Sequence, residues 1–459
     1  MTRFPVRPLA PVLLLAAFAA CDDDSPGPGP QPTYLGAEVA PNPTMVVAAV
    51  VTVEAERYDS AWVRVLDPVD DATARTPTAT FAAGGTTVRI PVLGLAPDRA
   101  FEFEVVLAVD DAAEAVDTLA FVAGALPAWI PAMTAVATGT PAPGFVVLSF
   151  PDGGVIVDNA ATVRWYHHSP NGNLNSFTAH ADGRYTIILA ADMVDDFVLL
   201  DREGAEVGTL ACAGGFRTRF HDVRILADGT AWLLCDETRT MDLSGVGGVA
   251  NAQVTGTVIQ RRDPAGAVTF TWNAFDHFAI TDLPLTDRTG PAVNFTHGNA
   301  LDFDTDGNLL ASFRSLNEVT RIEVATGDVL WRFGGLANQF TLVGDPKGSF
   351  ARQHGLRAAG PGVLQFLDNG NEAPSRMVRF LMDPGAGTAT FDWALVDAPE
   401  THTLIGGGTD VDGPTGHGIV SFGTEGRVVE AGADGARAWE LAGFDGTYVF
   451  RVQRIPSLY

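Results

Sequence analysis

The chain has 459 residues, of which 55 are acidic and 29 are basic, and its formal net charge at pH 7 is −26. This length is sufficient for more than one domain. An acidic chain with a single lysine, Lys347, has no basic stripe for nucleic acid and no attraction to anionic lipid headgroups. Apart from Cys21 its only cysteines are Cys212 and Cys235, so it is not a disulfide scaffold. Both a disulfide between these two and a pair of buried free thiols are open.

The first 21 residues have the pattern of a lipoprotein signal peptide. Arg3 and Arg7 precede an apolar run over residues 9–20 that is too short to span a bilayer, and small residues stand directly before Cys21. The Pro/Gly-rich segment 22–33 cannot bury apolar surface and is typical of a tether. We therefore expect a protein of the bacterial cell envelope, held at a membrane only by lipid on Cys21. A plain signal peptide cleaved nearby is the alternative.

Residues 34–126 are predicted to form a small β-sandwich. Runs rich in β-branched and aromatic residues alternate with turn residues; these runs are 45–55, 60–67, 86–95, 100–111 and 115–124. The turn and strand over 93–107 resemble the fibronectin type III pattern, so the fold expected here is fibronectin III-like or immunoglobulin-like. The segment contains no catalytic cluster, and we expect a spacer or adhesion module.

From about residue 140 to residue 459 the chain repeats. A turn dipeptide followed by a strand-like run recurs six times, at residues 152–153, 182–183, 228–229, 306–307, 361–362 and 425–426. In five of the six units a second turn and a tryptophan follow. Almost no stretch has a helical period. Repeats of this length and composition predict an all-β fold, a six-bladed β-propeller preceded by the small sandwich.

Four histidines share one position in successive repeats, a short distance before a Gly-containing turn. They are His221, His297, His354 and His417. In a propeller the innermost strands line a central channel, so these side chains are expected to meet at one mouth of it. Asn299 lies two residues after His297 on the same predicted strand, and Arg314 follows the next turn. A cup of imidazoles with one arginine, in an otherwise acidic protein, suits an anion.

At these residues the sequence resembles the bacterial arylsulfate sulfotransferases. The resemblance covers residues 140–459 and is carried by FHDVRILADG (220–229), by 296–335, by ARQHGLRAAGPGVLQFLDNGN (351–371), by 375–395 and by TYVFRVQRIPSLY (447–459). It does not include the N-terminal sandwich. The resemblance implies a six-bladed propeller and ping-pong transfer of a sulfuryl group from a phenolic sulfate donor to a phenol acceptor. No nucleotide sulfate donor, other cofactor or metal is implied.

The resemblance also implies roles for particular residues. His354 matches the nucleophile that becomes a sulfohistidine, and His221, His297 and Arg314 match the groups that hold the sulfate and protonate the leaving phenolate. These roles are chemically reasonable. A neutral imidazole is a competent nucleophile near pH 7, and an arginine fork suits the sulfate oxygens.

Several alternatives remain open at the level of sequence. The resemblance gives no role to His417, which is either structural or a substrate contact, and Asn369 is either a substrate contact or a turn former. Arg314 could instead pair with Asp304. A metal bound by the histidines, or a binding propeller without activity, would use the same framework. The sequence also leaves homo-oligomerisation open.

Substrate specificity is expected to reside in the long connections, residues 236–258, 274–296 and 336–350. His277 in the second of these is a candidate contact of the acceptor. Three further histidines, His167, His168 and His180, are predicted to lie on the surface or in loops.

Overall fold

The computed structural model describes residues 31–67, 72–110, 112–169, 174–189 and 196–459. The predicted signal peptide, Cys21 and most of the tether lie outside these residues. Over the described residues the fold is all-β, as the sequence predicts, and its helical content is limited to the short α-helix α1 (Ala274–His277) and four 3-10 turns. None of these helices is long and apolar enough to cross a membrane.

The N-terminal part consists of two antiparallel sheets around one apolar core. Its strands are β1 (Thr33–Pro41), β2 (Ala49–Glu56), β3 (Ser60–Asp67), β4 (Ala72–Arg75), β5 (Ala79–Thr80), β6 (Thr87–Val92), β7 (Ala100–Val109) and β8 (Ala112–Val122). The first sheet has the order β1-β2-β6 and the second β4-β3-β7-β8, with β5 beside β3. Alternate residues such as Val51, Val53 and Phe103 are fully buried between the sheets, because successive side chains of a strand point to opposite faces. The fibronectin likeness stays a prediction.

The remaining strands form six sheets of four or five strands, almost entirely antiparallel. In chain order they are β9 (Thr134–Ala137), β10 (Phe145–Phe150), β11 (Gly153–Val157), β12 (Val163–His168), β13 (Leu174–Ala179), β14 (Tyr185–Leu189), β15 (Phe197–Leu200), β16 (Glu206–Leu210), β17 (Arg217–Ile225), β18 (Ala231–Met241), β19 (Ala252–Arg262), β20 (Val268–Asn273), β21 (Ala292–Asn294), β22 (Gly298–Phe303), β23 (Leu309–Phe313), β24 (Glu318–Ile322), β25 (Val329–Gly334), β26 (Thr341–Val343), β27 (His354–Gly360), β28 (Val363–Asp368), β29 (Arg376–Asp383), β30 (Thr388–Val396), β31 (Gly408–Val411), β32 (Gly418–Ser421), β33 (Val428–Ala431), β34 (Arg437–Ala442) and β35 (Val452–Ile455).

Each of the six sheets begins with one strand that contacts the corresponding strands of its neighbours. Four strands of each sheet follow the orders β35-β10-β11-β12, β13-β14-β15-β16, β17-β18-β19-β20, β22-β23-β24-β25, β27-β28-β29-β30 and β31-β32-β33-β34, and the additional strands β21, β26 and β9 pair with β19, β30 and β34. The first strands are called here the ring strands, and they contact one another in cyclic order from β13 through β17, β22, β27 and β31 to β35, which returns to β13. The C-terminal strand β35 therefore completes the sheet of β10, and the loops between ring strands meet at a common centre.

The recurring tryptophans lie in the last strand of five sheets, at Trp165, Trp272, Trp331, Trp393 and Trp439. All are buried. In four of them, all except Trp331, the indole N–H donates to a backbone carbonyl of the following sheet, as Trp165 does to Arg202 and Trp439 does to Asn159. A buried indole N–H needs such a partner, so the repeat joins consecutive sheets.

The predicted repeat is wrong at two of its six turns. The turns at 182–183, 228–229, 306–307 and 361–362 follow ring strands, whereas the turn at 152–153 joins β10 to β11 and the turn at 425–426 joins β32 to β33. In the last sheet the connection that follows the ring strand spans residues 412–417. His417 therefore lies directly before the second strand of its sheet.

Cys212 and Cys235 form a disulfide, with 6.0 Å between their Cα atoms. This decides between the two alternatives that the sequence left open. Cys235 lies on β18 opposite Thr218 of β17, so the bond anchors the segment before β17 to the neighbouring strand.

The N-terminal sheets share buried surface with the sheet of β10. Met45, Val47 and Leu93 belong to the same apolar cluster as Val147 and Trp165. The contact also has specific polar bonds, because the backbone N–H of Leu93 donates to the Tyr459 hydroxyl at 2.8 Å. The two parts are therefore docked through a continuous core.

Candidate active site at the centre of the ring

A cavity of about 610 Å³ opens where the ring strands β17, β22 and β27 begin. Its wall combines aromatic, imidazole and guanidinium groups. The lining residues are Arg217, Arg219, Phe220, His221, Gln253, Thr255, Ala292, Val293, Asn294, His297, Arg314, His354, Ile405, Gly406, Tyr448 and Phe450. Residues 253, 255 and 292–294 belong to the connections predicted to determine specificity, whereas none of the lining residues comes from 336–350. A volume of this size is typical of a small-molecule site.

Irregular strand pairing aims the histidines into this cavity. Between Thr218 and Val223 the register of β17 against β18 shifts, and the bulging segment contains His221. The register of β22 shifts after Gly298 and that of β27 shifts after His354. A bulge leaves residues unpaired and redirects their side chains. Each of the three histidines thus lies in or beside a break in the ladder of a ring strand.

The tautomer of His354 is determined by Asn369. The Nδ2 amide group of Asn369 donates to the carbonyls of Thr403 at 2.9 Å and Gly406 at 3.0 Å, so its Oδ1 must face His354. That oxygen lies 2.7 Å from His354 Nδ1, and because an amide oxygen only accepts, Nδ1 carries the proton. The lone pair of the neutral ring is therefore on Nε2. Asn369 is fully buried and does not line the cavity.

His221 and His297 form a second hydrogen-bonded group. Arg219 Nε donates to His221 Nδ1 at 3.1 Å; since a guanidinium has no acceptor, the proton of neutral His221 is on Nε2. The Nε2 atoms of His221 and His297 are 3.2 Å apart, so His221 donates and His297 accepts. Asn294 Nδ2 lies 2.6 Å from His297 Nδ1; since Nδ1 then carries the proton, the Asn294 amide must be turned so that its oxygen accepts from this ring. Arg219 is held in turn by Asp236 at 2.8 Å.

All three imidazoles are held neutral. Desolvation is the largest cause, and it lowers the pKa of His354 to about 3 even though the hydrogen bond to Asn369 acts in the opposite direction. Desolvation followed by the charge of Arg219 lowers the pKa values of His221 and His297 well below their usual range. Burial without a counter-charge disfavours the protonated ring. In the empty cavity these groups are bases and neutral N–H donors.

Arg314 is a cation without a carboxylate partner among the described residues. Its NH2 reaches only the carbonyl of Leu404, at 3.5 Å. Asp304, the partner considered from the sequence, pairs with Arg321 instead. Desolvation and the nearby Arg352 lower the Arg314 pKa to about 10. An incompletely satisfied guanidinium at a cavity wall is suited to a sulfate or carboxylate.

Three of the predicted site residues lie outside the cavity wall. Asn299 is buried with its amide group directed to the carbonyl of Gln353, and Asn369 acts on His354 as described. His417 is absent from the cluster because it lies directly before the second strand of its sheet, and its Nδ1 bonds to Glu430 at 2.8 Å. His277 stacks on Trp272 and does not line the cavity either.

Several residues of the wall were not predicted from the sequence. Phe220 stacks on His221 with ring centroids 4.1 Å apart, and Phe450 meets the same ring edge-on at 5.7 Å. With Tyr448 these rings form an aromatic wall. Phe220 and Phe450 belong to segments that carry the family resemblance, so those segments were the available signal. Arg219 had no signal, because its position depends on the bulge.

Below the histidines, buried ion pairs fill the centre of the ring. Arg451 donates to the carbonyls of His221 and Asn299. Arg357 bridges Asp222 and Asp410, each at 3.3 Å. These bonds connect β17, β22, β27, β31 and the segment before β35, so they hold the ring strands in a fixed arrangement. Within the described residues no group of three or more His, Cys, Asp or Glu side chains is arranged to bind a metal ion.

Residues 200–444 match the sequence model of a family described as Arylsulfotransferase (ASST). This stretch is more than half of the chain and includes His221, His297, Arg314 and His354. The chain belongs to the arylsulfotransferase family. Tyr448, Phe450 and Arg451 lie beyond the matched stretch. No curated protein matches the chain.

The solved structures that match this arylsulfotransferase family member are remote from it in sequence. A protein of unknown function from Bacteroides caccae is 12% identical, with a TM-score of 0.42 over 69% of this chain and 100% of its own. The periplasmic gluconolactonase of Pseudomonas aeruginosa is 11% identical, with a TM-score of 0.42 over 67% of this chain and 98% of its own. Virginiamycin B lyase from Staphylococcus aureus is 10% identical, with a TM-score of 0.34 over 89% of this chain and 99% of its own.

Proposed function

We propose that this protein transfers a sulfuryl group from a phenolic sulfate to a phenol through a sulfohistidine at His354 Nε2. The observation that carries the proposal is the Asn369 bond, which leaves a lone pair on His354 Nε2 at a cavity shared with His221, His297 and Arg314. Family membership supports the reaction class. The aromatic wall of Phe220, Tyr448 and Phe450 suits a phenyl ring.

In the first half-reaction the His354 Nε2 lone pair attacks the sulfur, and the bond from sulfur to the aryl oxygen breaks. The phenolate leaves with that electron pair and takes up a proton. In this scheme Arg314 holds the sulfuryl oxygens, whose charge a loose transition state spreads. When the donor binds and His297 Nε2 becomes protonated, that atom no longer accepts from His221, and the His221 Nε2–H donates to the sulfuryl oxygens as well. Fixed donors of this kind need no reorganisation during the reaction.

His297 is the better candidate for the proton donor. His221 Nδ1 already accepts from Arg219, so a second proton there would face a guanidinium N–H. The Nε2 of His297 accepts a bond and can be protonated when a bound anion raises the pKa of the ring. Proton donation to the leaving oxygen then follows general acid catalysis.

In the second half-reaction a phenol replaces the first product. His297, now neutral, accepts the phenol proton, and the phenolate oxygen attacks the sulfur of the sulfohistidine. The nitrogen–sulfur bond breaks and its electron pair returns to His354 Nε2. The same groups thus act in both directions, which is the requirement of a ping-pong mechanism.

Substitution of His354 tests the covalent step. His354→Ala should abolish transfer from 4-nitrophenyl sulfate to a phenol and remove the mass increase of the sulfated peptide that contains residue 354. His297→Asn should instead slow sulfation by roughly 100- to 10,000-fold, with partial recovery for donors whose phenols are better leaving groups. The absorbance of the released product measures transfer, and mass spectrometry measures sulfation of the peptide. Transfer by His354→Ala at a rate near that of the unaltered protein would exclude this mechanism.

The wider context of the enzyme is part of the proposal. The cyclic contacts of the six ring strands support a six-bladed β-propeller, and the two N-terminal sheets support a fibronectin III-like sandwich that spaces it from a membrane. Anchoring by lipid on Cys21 in the bacterial envelope rests on the sequence pattern alone. Labelling with a radioactive fatty acid, which Cys21→Ser should abolish, would test it.

A further inference from the structure

The mouth of the cavity has more positive charge than a single sulfate ester neutralises. Arg217, Arg219 and Arg314 line it, and Arg352 lies near enough to lower the pKa of Arg314. The carboxylates paired with these arginines are Asp236 and, for Arg352, Asp287. This group of six residues, called here the rim cluster, therefore has two positive charges in excess.

The excess is not balanced by the ion pairs below. There, four arginines stand with four carboxylates, namely Arg224, Arg357, Arg451 and Arg454 with Asp222, Asp302, Asp410 and Glu430. That deeper set is neutral as a whole. In a chain with a net charge of −26, a local surplus of two cations at a cavity mouth creates a field that attracts anions.

An aryl sulfate ester has one negative charge and would offset one of the two. Arg314 is the rim cation with no carboxylate partner among the described residues, and its charge contributes to lowering the pKa of both His297 and His354. One positive charge then remains at the rim. A partly desolvated cation is most stable with a counter-ion.

Arg217 is the residue of the rim cluster with the weakest partner. Its NH2 lies 3.5 Å from Asp236, which already accepts from Arg219 at 2.8 Å. The Arg217 side chain is 42% exposed and lines the cavity, so its guanidinium can turn toward a ligand without leaving a buried group unpaired. A planar guanidinium binds a carboxylate or sulfate through two parallel bonds.

We infer that the phenolic substrate of this site has a second anionic group, a carboxylate or another sulfate, and that Arg217 binds it. This inference rests on the proposed function, since it assumes that the sulfate ester lies at Arg314 and His354. The aromatic ring would then lie along Phe220 and Phe450, with its sulfate at the histidines and its second anion at the rim. Phenyl sulfates without a second anionic group are weaker ligands in this scheme.

Binding of unreactive sulfonates tests the inference separately from catalysis. 4-Sulfobenzoate and its methyl ester both have a carbon–sulfur bond that the site cannot cleave, and they differ by one negative charge. Isothermal titration calorimetry should give 4-sulfobenzoate a Kd about tenfold lower than that of the ester, which corresponds to one charge-assisted contact. Arg217→Gln should reduce the ratio of the two Kd values to about one, and Arg217→Lys should retain part of it.

Arg261→Gln is the matched control, because it removes the same charge from a residue that does not line the cavity. The Arg261 guanidinium bonds to Thr269 on an outer pair of strands and lies 5.6 Å from the ring centroid of Trp232. The Kd ratio of this variant should equal that of the unaltered protein. Equal Kd values for acid and ester, absence of binding by both, or a preference that survives in Arg217→Gln would each overturn the inference. Transfer from 4-nitrophenyl sulfate is measured alongside. Absence of this transfer in the unaltered protein, together with tighter binding of 4-sulfobenzoate than of its methyl ester, would overturn the proposed reaction and leave a dianion-binding site.

Discussion

Asn369 determines which nitrogen of His354 can act as a nucleophile. Its Oδ1 accepts a hydrogen bond from His354 Nδ1–H, and its Nδ2 amide group donates to two carbonyls. Asn369→Ala removes the acceptor and allows the tautomer with a protonated Nε2. We expect kcat to fall by roughly 10- to 1000-fold, since a wrong tautomer disables an imidazole, with KM nearly unchanged because Asn369 does not line the cavity.

The measurement is steady-state kinetics together with ¹⁵N NMR of the His354 ring, which reports the tautomer directly. Asn338→Ala is the matched control, because Asn338 stabilises a loop through its Oδ1 outside the cavity wall. Some loss of stability is expected in Asn369→Ala, as two buried carbonyls lose their donor. An unchanged kcat, or a ¹⁵N spectrum that still shows protonated Nδ1, would contradict the role given to Asn369.

The desolvated histidines also make stability depend on pH. The pKa values of His180 and His354 are lowered to about 3, and those of His221 and His297 lie well below the usual range. Unfolding returns each to about 6.5, so below that pH the unfolded chain binds more protons than the folded one. The free energy of unfolding should be highest above pH 6.5 and fall as the pH approaches 3, by about 1.4 kcal/mol per pH unit for each histidine.

Urea denaturation at pH 7.5, 6 and 5 measures this slope. His180→Gln should reduce it by the contribution of one histidine, because His180 bonds to Thr186 and Ile225 away from the cavity wall. A free energy of unfolding that does not change between pH 7 and pH 5 would show that these rings are accessible to protons in the folded protein.

Among the elements, the ring strand β27 depends on a glycine directly after the nucleophile. Gly355 has φ +61°, and a Cβ there would lie 2.3 Å from the backbone N of Thr409 and 2.5 Å from the Cα of Gly408. Neither backbone atom can move aside without separating β27 from β31. Gly355→Ala should destabilise the protein by more than about 3 kcal/mol and displace His354.

Thermal unfolding followed by circular dichroism measures the loss. Gly413→Ala is the control, since a Cβ at Gly413 meets no atom within 4 Å, and it should unfold near the temperature of the unaltered protein. If Gly355→Ala unfolds at that temperature as well and remains active, the close approach of β27 to β31 is not required.

The strands could be predicted from the sequence wherever a periodic or repeated pattern determines them. The run 60–67 coincides with β3, and the tryptophans mark last strands because each indole must reach a neighbouring sheet. His417 was placed wrongly because a histidine before a glycine turn has the same pattern beside a second strand as beside a ring strand. The roles of Arg219 and Asn369 were not predictable. The role of Arg219 depends on the bulge in β17, and the role of Asn369 depends on the carbonyls of the distant Thr403 and Gly406. Neither feature produces a periodic pattern in the sequence.

At the scale of the whole molecule, the N-terminal sheets and the ring share one apolar core. Leu93, 7% exposed, packs in the cluster that includes Val147 and Trp165. Two parts joined by a continuous core unfold together. Differential scanning calorimetry should therefore show a single transition. Leu93→Asp would bury an unpaired charge at the junction, and we expect it to divide the transition into two.

Leu35→Asp provides the comparison, because Leu35 is 53% exposed on β1 of the same N-terminal part. That variant should keep the single transition. Two transitions in the unaltered protein would mean that the junction contributes little to stability and that the N-terminal part can reorient relative to the ring.

The segment that precedes β35 completes the active site only when β35 has joined its sheet. Tyr448 and Phe450 form part of the cavity wall, and Arg451 binds the carbonyls of His221 and Asn299, while β35 itself pairs with β10. A chain in which this strand has not yet joined its sheet therefore has neither a complete wall nor a fixed bulge around His221. Turnover consequently reports that the ring has closed, and a refolding time course followed by activity should lag behind one followed by strand content.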